Sequence, residues 1–316
     1  MDMEKPPRWS IRCVDAGSEY CPCHLAESGN CIACSLLSGA EFCHCSWSGS
    51  CIYLNYYFSQ GVIAERSEEI VAFEKNEIAP GLIEIYINLG LRWLQCLSQI
   101  GAFLFIRPKE APNYAAVPVS VANVNGSRIR LVVQSTGPKT RLLSKAKGKI
   151  AIRGPYYSSL SDSYAIKRTR NSKILLVAGG VGQSALVLAA KALLRQENQL
   201  WACLAPGSAG LIYVSQDLEA LGVTVEKVPS MRPYGITMIK DWLVQLQPSL
   251  IIVAGPEGLQ TAVQEMIDNL DNKGYQTKFV RTQNAVMCCG DGLCGSCLSN
   301  EFGQERIPLC KAQYCL

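Results

Sequence analysis

Four cysteines near the carboxyl terminus have the spacing that iron–sulfur chemistry requires. Cys289, Cys294 and Cys297 form the pattern Cys-x4-Cys-x2-Cys, and Cys310 follows later in the chain. Plant-type ferredoxins use this spacing to hold a [2Fe–2S] cluster through four thiolates. The glycines between these cysteines let the backbone turn tightly and offer N–H donors to the sulfides. The pattern therefore predicts a [2Fe–2S] site in residues 283–316.

Two alternatives remain open at this tail site. A structural zinc ion also takes thiolate ligands, although zinc sites prefer two separated Cys-x2-Cys pairs. Cys288 could replace Cys289 as the first ligand, but Cys289 is favoured because it keeps the four-residue spacing to Cys294. Cys315 has no assigned role.

Half of the 16 cysteines lie in residues 1–60, where a weak repeat is visible. Residues 21–32 and 43–52 both begin Cys-x-Cys and end Ser-Gly-x-Cys-Ile. In a chain of this length, without an apolar leader, such clustered thiols are more typical of metal or iron–sulfur sites than of disulfides. The candidate ligands of an N-terminal site are Cys21, Cys23, Cys31, Cys34, Cys43, Cys45 and Cys51. Iron–sulfur clusters, zinc, and free or disulfide-bonded thiols all remain open.

Two glycine-containing turns have the form of a nucleotide site. Gly179, Gly180 and Gly182 separate an apolar run from a helical pattern, and Gly255 and Pro256 follow a second apolar run. A glycine turn between strand and helix lets the backbone approach a phosphate at the helix N-terminus. Ligands of open α/β sheets bind at the carboxyl ends of strands. The two turns together predict a dinucleotide site, although Gly-Gly-x-Gly is shorter than the full Rossmann fingerprint.

The elements around these motifs predict a multi-domain fold. Residues 61–170 contain closely spaced strand patterns and predict a small antiparallel β-barrel. Residues 171–282 alternate strands and helices, which predicts an α/β domain with a parallel sheet. Residues 1–60 and 283–316 are expected to form small cysteine-rich modules. Hydrophobic residues make up 48% of the 316 residues, which excludes a wholly disordered chain.

The predicted barrel includes a basic stretch in which three segments could position a flavin. From residue 111 to residue 161 there are eight Lys and Arg and no acidic residue. The segments are the strand with Pro118 and Ser120, the turn with Gly137 and Thr140, and the turn that begins at Gly154. Ordinary turns on a solvated basic face are an equal alternative. A nucleic-acid surface is disfavoured because residues 139–149 contain no aromatic side chain among the charges.

Taken in order, these pieces resemble the ferredoxin reductase superfamily over about residues 64–310. They resemble more closely the electron-transfer subunits of class B dihydroorotate dehydrogenase and related NAD(P)H-dependent ferredoxin oxidoreductase subunits. The resemblance implies that the barrel binds FAD, that the α/β domain binds NAD(P)H, and that the tail holds a [2Fe–2S] cluster. It assigns FAD contacts to the three barrel segments, nicotinamide contacts to the two glycine turns, and cluster ligands to the four tail cysteines.

The chain departs from the family pattern at several of these contacts. Val117 stands where the family usually has the arginine of Arg-Pro-x-Ser-Ile, and Ala254 stands where it has the cysteine of Cys-Gly-Pro. The barrel turns after Gly137 and Gly154 are poorer in glycine than the family's turns. No acidic residue for a ribose 2′-hydroxyl and no arginine for a 2′-phosphate stands out after the second strand, so NADH and NADPH remain alternatives.

The implied function is that of an electron-transfer enzyme subunit. It would move electrons between NAD(P)H, FAD and the [2Fe–2S] cluster, to or from a partner catalytic oxidoreductase subunit or a ferredoxin-like carrier. No catalytic side chain is assigned, because the cofactors carry the chemistry. The alternative is a non-enzymatic zinc-binding scaffold or nucleotide-binding interaction protein.

The expected location is cytoplasmic, with no nucleic-acid partner. The most apolar stretch, residues 174–194, contains Lys191 and a glycine turn, so it predicts strand–turn–helix rather than a membrane span.

Overall fold

A computed structural model describes residues 11–45, 47–63, 65–271, 277–299 and 306–314. The chain divides into two compact units. The larger unit comprises residues 69–284, and the smaller unit combines the residues up to 68 with those from 285 onward. The two cysteine-rich ends of the chain therefore fold together. The four-part division expected from the sequence stays a prediction.

The strands and helices closely follow the sequence patterns. The strands are β1 (Ile11–Cys13), β2 (Glu68–Ala72), β3 (Glu74–Ala79), β4 (Leu82–Asn88), β5 (Phe103–Pro108), β6 (Val117–Asn125), β7 (Arg128–Gln134), β8 (Lys149–Tyr156), β9 (Lys173–Gly179), β10 (Gln199–Ala205), β11 (Thr224–Lys227), β12 (Leu250–Ala254), β13 (Lys278–Arg281), β14 (Leu298–Ser299), β15 (Ile307–Pro308) and β16 (Ala312–Tyr314). The α-helices are α1 (His24–Glu27), α2 (Ile52–Phe58), α3 (Leu91–Leu97), α4 (Pro138–Lys145), α5 (Ser163–Arg168), α6 (Leu186–Leu194), α7 (Ser215–Ala220), α8 (Ile236–Leu246) and α9 (Glu257–Asp271).

The first half of the larger unit is a seven-stranded, barrel-like sheet with the order β2-β8-β5-β6-β7-β4-β3. The strand register follows from side chains that point alternately to the interior and the exterior along each strand. In β4, Ile83, Ile85 and Ile87 pack in the interior, while Glu84 and Tyr86 lie on the opposite face. The turn at Gly137 differs from the sequence expectation. It begins α4, because a proline at the first helical position supports a helix start.

The second half of the larger unit is a parallel sheet with the order β11-β10-β9-β12-β13. Alternate residues of β9 pack on opposite faces, with Leu176 against α6 and Val177 against α8 and α9. Burial on both faces explains the unbroken apolar run in the sequence. The antiparallel barrel-like sheet and the parallel α/β sheet confirm the predicted fold class.

A polar junction joins the two halves of the larger unit. The Arg130 guanidinium of β7 pairs with Glu84 in the barrel-like sheet and, at 2.7 Å, with Asp217 of α7. Asn123 of β6 donates to Asp217 at 2.8 Å and accepts from Lys191 of α6 at 2.6 Å. These bonds fix β6 and β7 against the helices of the parallel sheet.

The smaller unit has a core made partly of thiols. Ala26, Leu37 and Ile52 are buried together with Cys31 and Cys34. Strand β1 pairs antiparallel with β16, and β14 pairs antiparallel with β15. The β1–β16 pairing brings the N-terminal segment alongside the residues that follow Cys310, because Ala312 lies opposite Cys13.

Candidate functional site

A cavity of about 900 Å³ in the larger unit brings the predicted nucleotide residues together. Gly179, Gly180 and Gly182 line it from the end of β9, and Gly255 and Pro256 line it from the end of β12. Strand β9 lies between β10 and β12, so the strand order reverses at this point. Open α/β sheets bind ligands at such a switch point. The volume falls within the range of about 300–1,000 Å³ usual for small-molecule sites.

The local backbone geometry requires glycine at two positions of the first turn. Gly180 has a φ of +63°, a conformation that side chains disfavour. A Cβ on Gly182 would lie 2.6 Å from the backbone carbonyl of Ala254. Glycine at position 182 therefore lets the first turn approach the second closely, and the cavity wall at this point is bare backbone.

Buried polar side chains hold the first turn in place. Gln183 is fully buried, donates to Leu211 O at 3.0 Å, and accepts from the backbone N–H of Tyr213 at 3.0 Å. The Tyr213 hydroxyl lies 2.8 Å from Ser184 Oγ and donates to Val181 O at 3.0 Å. Burial raises the pKa of Tyr213 to about 12. The sequence alone does not reveal this network, because the hydrogen-bonded residues come from separate elements.

The second turn is fixed from the other side of the cavity. Gln260 is buried and donates to Gly255 O and Thr282 O, each at 3.0 Å. Asn284 also donates to Gly255 O, at 2.8 Å, and the N–H of Gly255 donates to Thr282 Oγ1 at 3.2 Å. These side chains were also missed. The only signal for them is that polar residues follow a strand of the parallel sheet.

The barrel-like sheet contributes part of the same site. Ser120 of β6 lines the large cavity and also an adjoining cavity of about 240 Å³, as does Val181. Pro118 and Thr140 line only the smaller cavity. The two cavities thus share a wall where the barrel meets the first glycine turn.

Two predicted flavin contacts do not line either cavity. Gly137 caps the N-terminus of α4, where its N–H donates to Thr140 Oγ1 at 3.0 Å. Gly154 is buried in β8, and a Cβ at this position would lie 2.7 Å from Leu104 Cδ2. Packing between neighbouring strands therefore explains the glycine at position 154.

The four tail cysteines belong to the smaller unit. Cys310 shares side-chain hydrogen bonds with Cys289 and Cys297, and Cys289 shares one with Cys294. Cys297 and Cys310 are buried, whereas Cys294 is exposed. The N–H of Asp291 donates to Cys289 Sγ at 3.3 Å. Three glycines of this loop have positive φ, as the sequence suggested: Gly290, Gly292 and Gly295.

These contacts lower the pKa of two tail thiols and raise that of a third. The hydrogen bond from Cys310 lowers the pKa of Cys289 to about 4 and that of Cys297 to about 7. The same bonds, together with burial, raise the pKa of Cys310. A thiolate is the form that binds iron or zinc. The donor set therefore fits a metal–sulfur group whose charge is partly balanced by backbone N–H donors.

A buried ionic cluster lies beside the tail cysteines. Asp15 accepts from the Arg66 guanidinium and from Lys311 Nζ, each at 2.6 Å. Arg66 also pairs with Asp291 at 3.3 Å and lies over the Tyr20 ring, 4.2 Å from its centroid. Lys311 directly follows Cys310, and Asp291 lies two residues after Cys289. This cluster was missed because Asp15 and Lys311 are almost 300 residues apart in the sequence.

The N-terminal cysteines fall into a buried set and an exposed set. Cys31 and Cys34 lie in the small core, and Cys21 packs against it. Burial raises the pKa of Cys21 to about 11. The exposed set is Cys43, Cys45 and Cys51, in which the sulfurs of Cys43 and Cys45 lie 3.6 Å apart.

Within the described residue ranges, no three His, Cys, Asp or Glu side chains are gathered around one point to hold a single ion. This holds for the tail thiols as well as for the N-terminal ones. A [2Fe–2S] cluster divides its four ligands between two irons, so it does not require three ligands at one ion.

Comparison with curated proteins gives relatives of one kind. The electron transfer subunit of dihydroorotate dehydrogenase B (NAD(+)) from Streptococcus mutans is 22% identical over 246 residues, 75% of this chain and 90% of the relative. The probable counterpart from Methanopyrus kandleri is 28% identical over 187 residues, 57% of this chain and 67% of the relative. The chain is a distant homologue of these subunits. No protein-family model matches it.

Comparison with solved structures gives the same fold. The structure of an NADH-dependent reduced ferredoxin-NADP oxidoreductase aligns with a TM-score of 0.56 and 23% identity, over 77% of this chain and 89% of that one. A flavohemoglobin from Malassezia yamatoensis aligns with a TM-score of 0.50 and 12% identity, over 73% and 64% of the two chains. The chain therefore has the ferredoxin reductase fold.

Among the described residues, none of the helices is long and apolar enough to cross a membrane. This agrees with the strand–turn–helix prediction for residues 174–194.

Proposed function

We propose that the chain is an electron-transfer subunit that binds FAD and NAD(P)H in its larger unit and a [2Fe–2S] cluster in its smaller unit. The observation that carries the proposal is the shared cavity, in which Ser120 of the barrel-like sheet meets Gly180 and Gly182 of the parallel sheet. A fold that binds one ligand on each half would bring both ligands together at this wall. The relatives from Streptococcus mutans and Methanopyrus kandleri, which are named as electron transfer subunits, support the same assignment.

The lining of the cavity fits a flavin and a nicotinamide nucleotide. Ser159 Oγ is buried at the cavity and has no hydrogen-bond partner among the described residues. A buried hydroxyl without a partner is costly, and a ligand carbonyl or ring nitrogen would satisfy it. Gly207 lines the cavity with bare backbone, and Ser208 lies beside it. None of the residues that line this cavity is acidic, so an anionic ligand meets no repulsion from them.

The barrel segments would hold the FAD. Pro118 and Ser120 of β6 would lie along the flavin, with Val181 on the far side of the shared wall. Thr140 of α4 lines the smaller cavity and would lie along the pyrophosphate, whereas Gly137 would act by starting α4. Gly154 would act through the packing of β8, since its Cβ space is filled by Leu104.

The two glycine turns would hold the NAD(P)H. Gly179, Gly180 and Gly182 would admit its phosphates, and Gly255 and Pro256 would border the nicotinamide. Ala254, in place of a cysteine, is fully buried in β12 and leaves no thiol beside the nicotinamide. These residues would hold a flavin and a nicotinamide that would supply hydride chemistry, and the tail cysteines would hold a cluster that would supply single-electron transfer. The protein's own contribution is to position these groups and exclude water.

The tail would hold the [2Fe–2S] cluster through Cys289, Cys294, Cys297 and Cys310. The exposed position of Cys294 would leave one edge of the cluster open to a partner catalytic oxidoreductase subunit or a ferredoxin-like carrier.

The test is anaerobic purification followed by addition of NADH and of NADPH in separate samples. We expect bound FAD that is bleached by one or both nucleotides. The decisive contrary results are a protein that neither retains nor rebinds FAD, or bound FAD that neither nucleotide reduces. The comparison of the two nucleotides also identifies which one the protein uses.

A further inference from the structure

The exposed set of N-terminal cysteines includes a pair whose sulfurs are in contact. The Sγ atoms of Cys43 and Cys45 lie 3.6 Å apart, within hydrogen-bond distance for sulfur, and both residues are exposed. Cys31 and Cys34, by contrast, are buried in the small core. A buried thiol behaves as a small hydrophobic group, whereas an accessible thiol beside a second one has the arrangement of a redox-active site. The proposed electron-transfer function does not use this pair.

A single hydroxyl fixes the backbone on both sides of Cys43. Ser35 Oγ accepts from the backbone N–H of His44 at 2.7 Å and donates to the carbonyl oxygen of Phe42 at 3.3 Å. Because these two backbone groups flank Cys43, a rotation of its backbone would break one of the bonds. The fold therefore holds Cys43 and Cys45 at the spacing that brings their sulfurs together.

The indole of Trp47 anchors the residues that follow the pair. Its Nε1–H donates to Ser50 O at 2.8 Å, and its ring packs against the small core. A Cβ at Gly17 would lie 2.7 Å from the ring, and a Cβ at Gly49 would also collide with it. The glycines at these positions leave room for the ring, which fixes residues 47–50 while the two thiols remain exposed to solvent.

The pair lacks the further ligands that a metal site needs. Within the described ranges, no third His, Cys, Asp or Glu side chain joins the two thiols to form a set of three ligands. Two thiolates leave a zinc ion short of its usual four ligands. Two thiols are sufficient for thiol–disulfide exchange, in which one thiolate attacks and a second, within reach, releases the product.

We propose that Cys43 and Cys45 form a redox-active dithiol that exchanges with substrate disulfides. The thiolate of one cysteine attacks a sulfur of the substrate disulfide, whose S–S bond breaks, so one substrate thiolate leaves and a mixed disulfide forms. The thiolate of the other cysteine then attacks the protein sulfur of that mixed disulfide and releases the second substrate thiolate. The two protein thiols together lose two protons and two electrons, and the substrate gains them as it becomes two thiols.

The exposure of the pair favours reversible exchange. Exposed disulfides have more oxidising potentials than buried structural ones and are the ones that act in catalysis or regulation. A bridge between Cys43 and Cys45 would be open to a reducing thiol from solvent, because both residues are exposed. The pair is therefore suited to repeated oxidation and reduction rather than to a permanent cross-link.

The test uses the full chain, reduced and purified anaerobically, with oxidised glutathione as the probe. After incubation the remaining thiols of the folded protein are alkylated, and the protein is cleaved after glutamate. The peptide of residues 42–65 then carries Cys43, Cys45 and Cys51 together, so the third cysteine is an internal control. We expect a Cys43–Cys45 bridge, measured by mass spectrometry as the loss of two hydrogens, and glutathione or an alkyl group on Cys51.

Three variants separate the pair from the neighbouring thiol. Cys45→Ser should lose the bridge completely and retain glutathione on Cys43, and Cys43→Ser should lose the bridge and retain glutathione on Cys45. Cys51→Ser is the matched control and should form the bridge as the wild type does. All three positions are exposed, so these substitutions leave the small core intact.

Three results would overturn the proposal. The first is a wild type in which Cys43 and Cys45 are both alkylated or both carry glutathione, and the second is a bridge that includes Cys51. The third is a pair that reacts with neither reagent until a chelator is added, which would identify the two thiols as metal ligands. The experiment needs neither flavin nor nucleotide, so its outcome is independent of the proposed electron-transfer function.

Discussion

The larger unit is held together by aliphatic side chains, whereas the smaller unit buries thiols and ionised groups. In the parallel sheet, Leu176 and Val177 are fully buried on opposite faces, and glycine backbone forms part of the cavity wall. In the smaller unit, Asp15 and Lys311 are each 1% exposed and lie beside the cysteines. One unit can therefore form its site without a ligand, whereas the other depends on charge balance and, by our proposal, on a bound cluster.

The largest expected effect comes from removing the centre of the buried ionic cluster. Asp15→Ala leaves Arg66 and Lys311 buried without their shared partner, which should destabilise the smaller unit by about 3–5 kcal/mol. Amide hydrogen exchange should speed up in residues 11–45 and stay unchanged in β9 and β12. Equal acceleration in both units would mean that they do not fold separately.

A second loss of stability should appear only in the larger unit and only at high pH. The pKa of Tyr213 is raised from 10.0 to about 12 by burial, so the unfolded chain ionises first. Stability should therefore be complete below pH 10 and fall as the pH rises toward 12, by about 3 kcal/mol at most. Denaturant titrations across this range measure the loss. Tyr213→Phe should remove this part of the pH dependence, and an identical pH profile in the variant would contradict the assignment.

The close approach of the two glycine turns gives a third, smaller effect. Gly182→Ala places a Cβ 2.6 Å from the Ala254 carbonyl and must separate the turns, at a cost of about 1–3 kcal/mol. We expect weaker NAD(P)H binding, measured by titration calorimetry, with unchanged iron content. Gly90→Ala is the control, since a Cβ there meets nothing within 4 Å and φ is −68°. Equal affinity in Gly182→Ala and the control would show that the turns do not shape the site.

The smallest effect is expected at an exposed ion pair of the larger unit. Glu74 and Arg128 pair on the surface of the barrel-like sheet, where their side chains are 68% and 39% exposed. Glu74→Ala should change the free energy of unfolding by about 0–1 kcal/mol. Comparison with Asp15→Ala in the same denaturation assay separates a buried charge from a solvated one. A loss as large as that of Asp15→Ala would invalidate the comparison between the units.

The sequence was most informative where local patterns decide structure. The alternation of Ile83, Ile85 and Ile87 predicts a half-buried strand, and the apolar run that ends at Gly179 predicts a strand buried on both faces. The tail spacing predicts which thiols meet, and the positive φ of Gly290 agrees with the tight loop.

The sequence was least informative where distant residues meet. The Gln183 and Gln260 side chains brace the two turns through partners that only the folded chain brings near. The pairing of Asp15 with Lys311 follows from the β1–β16 alignment, for which three-residue strands leave little trace in the sequence. For the same reason, the folding together of the two cysteine-rich ends was not foreseen.

The decisive question is whether electrons from a nicotinamide nucleotide reach the proposed tail cluster through the larger unit. The anaerobic wild type and Cys294→Ser are titrated with the nucleotide that bleaches the flavin, while iron–sulfur reduction is followed by electron paramagnetic resonance. We predict flavin bleaching in both proteins and a reduced-cluster signal of the [2Fe–2S] type in the wild type only. A wild type that bleaches without any cluster signal, or a Cys294→Ser variant with the full signal, would contradict the account.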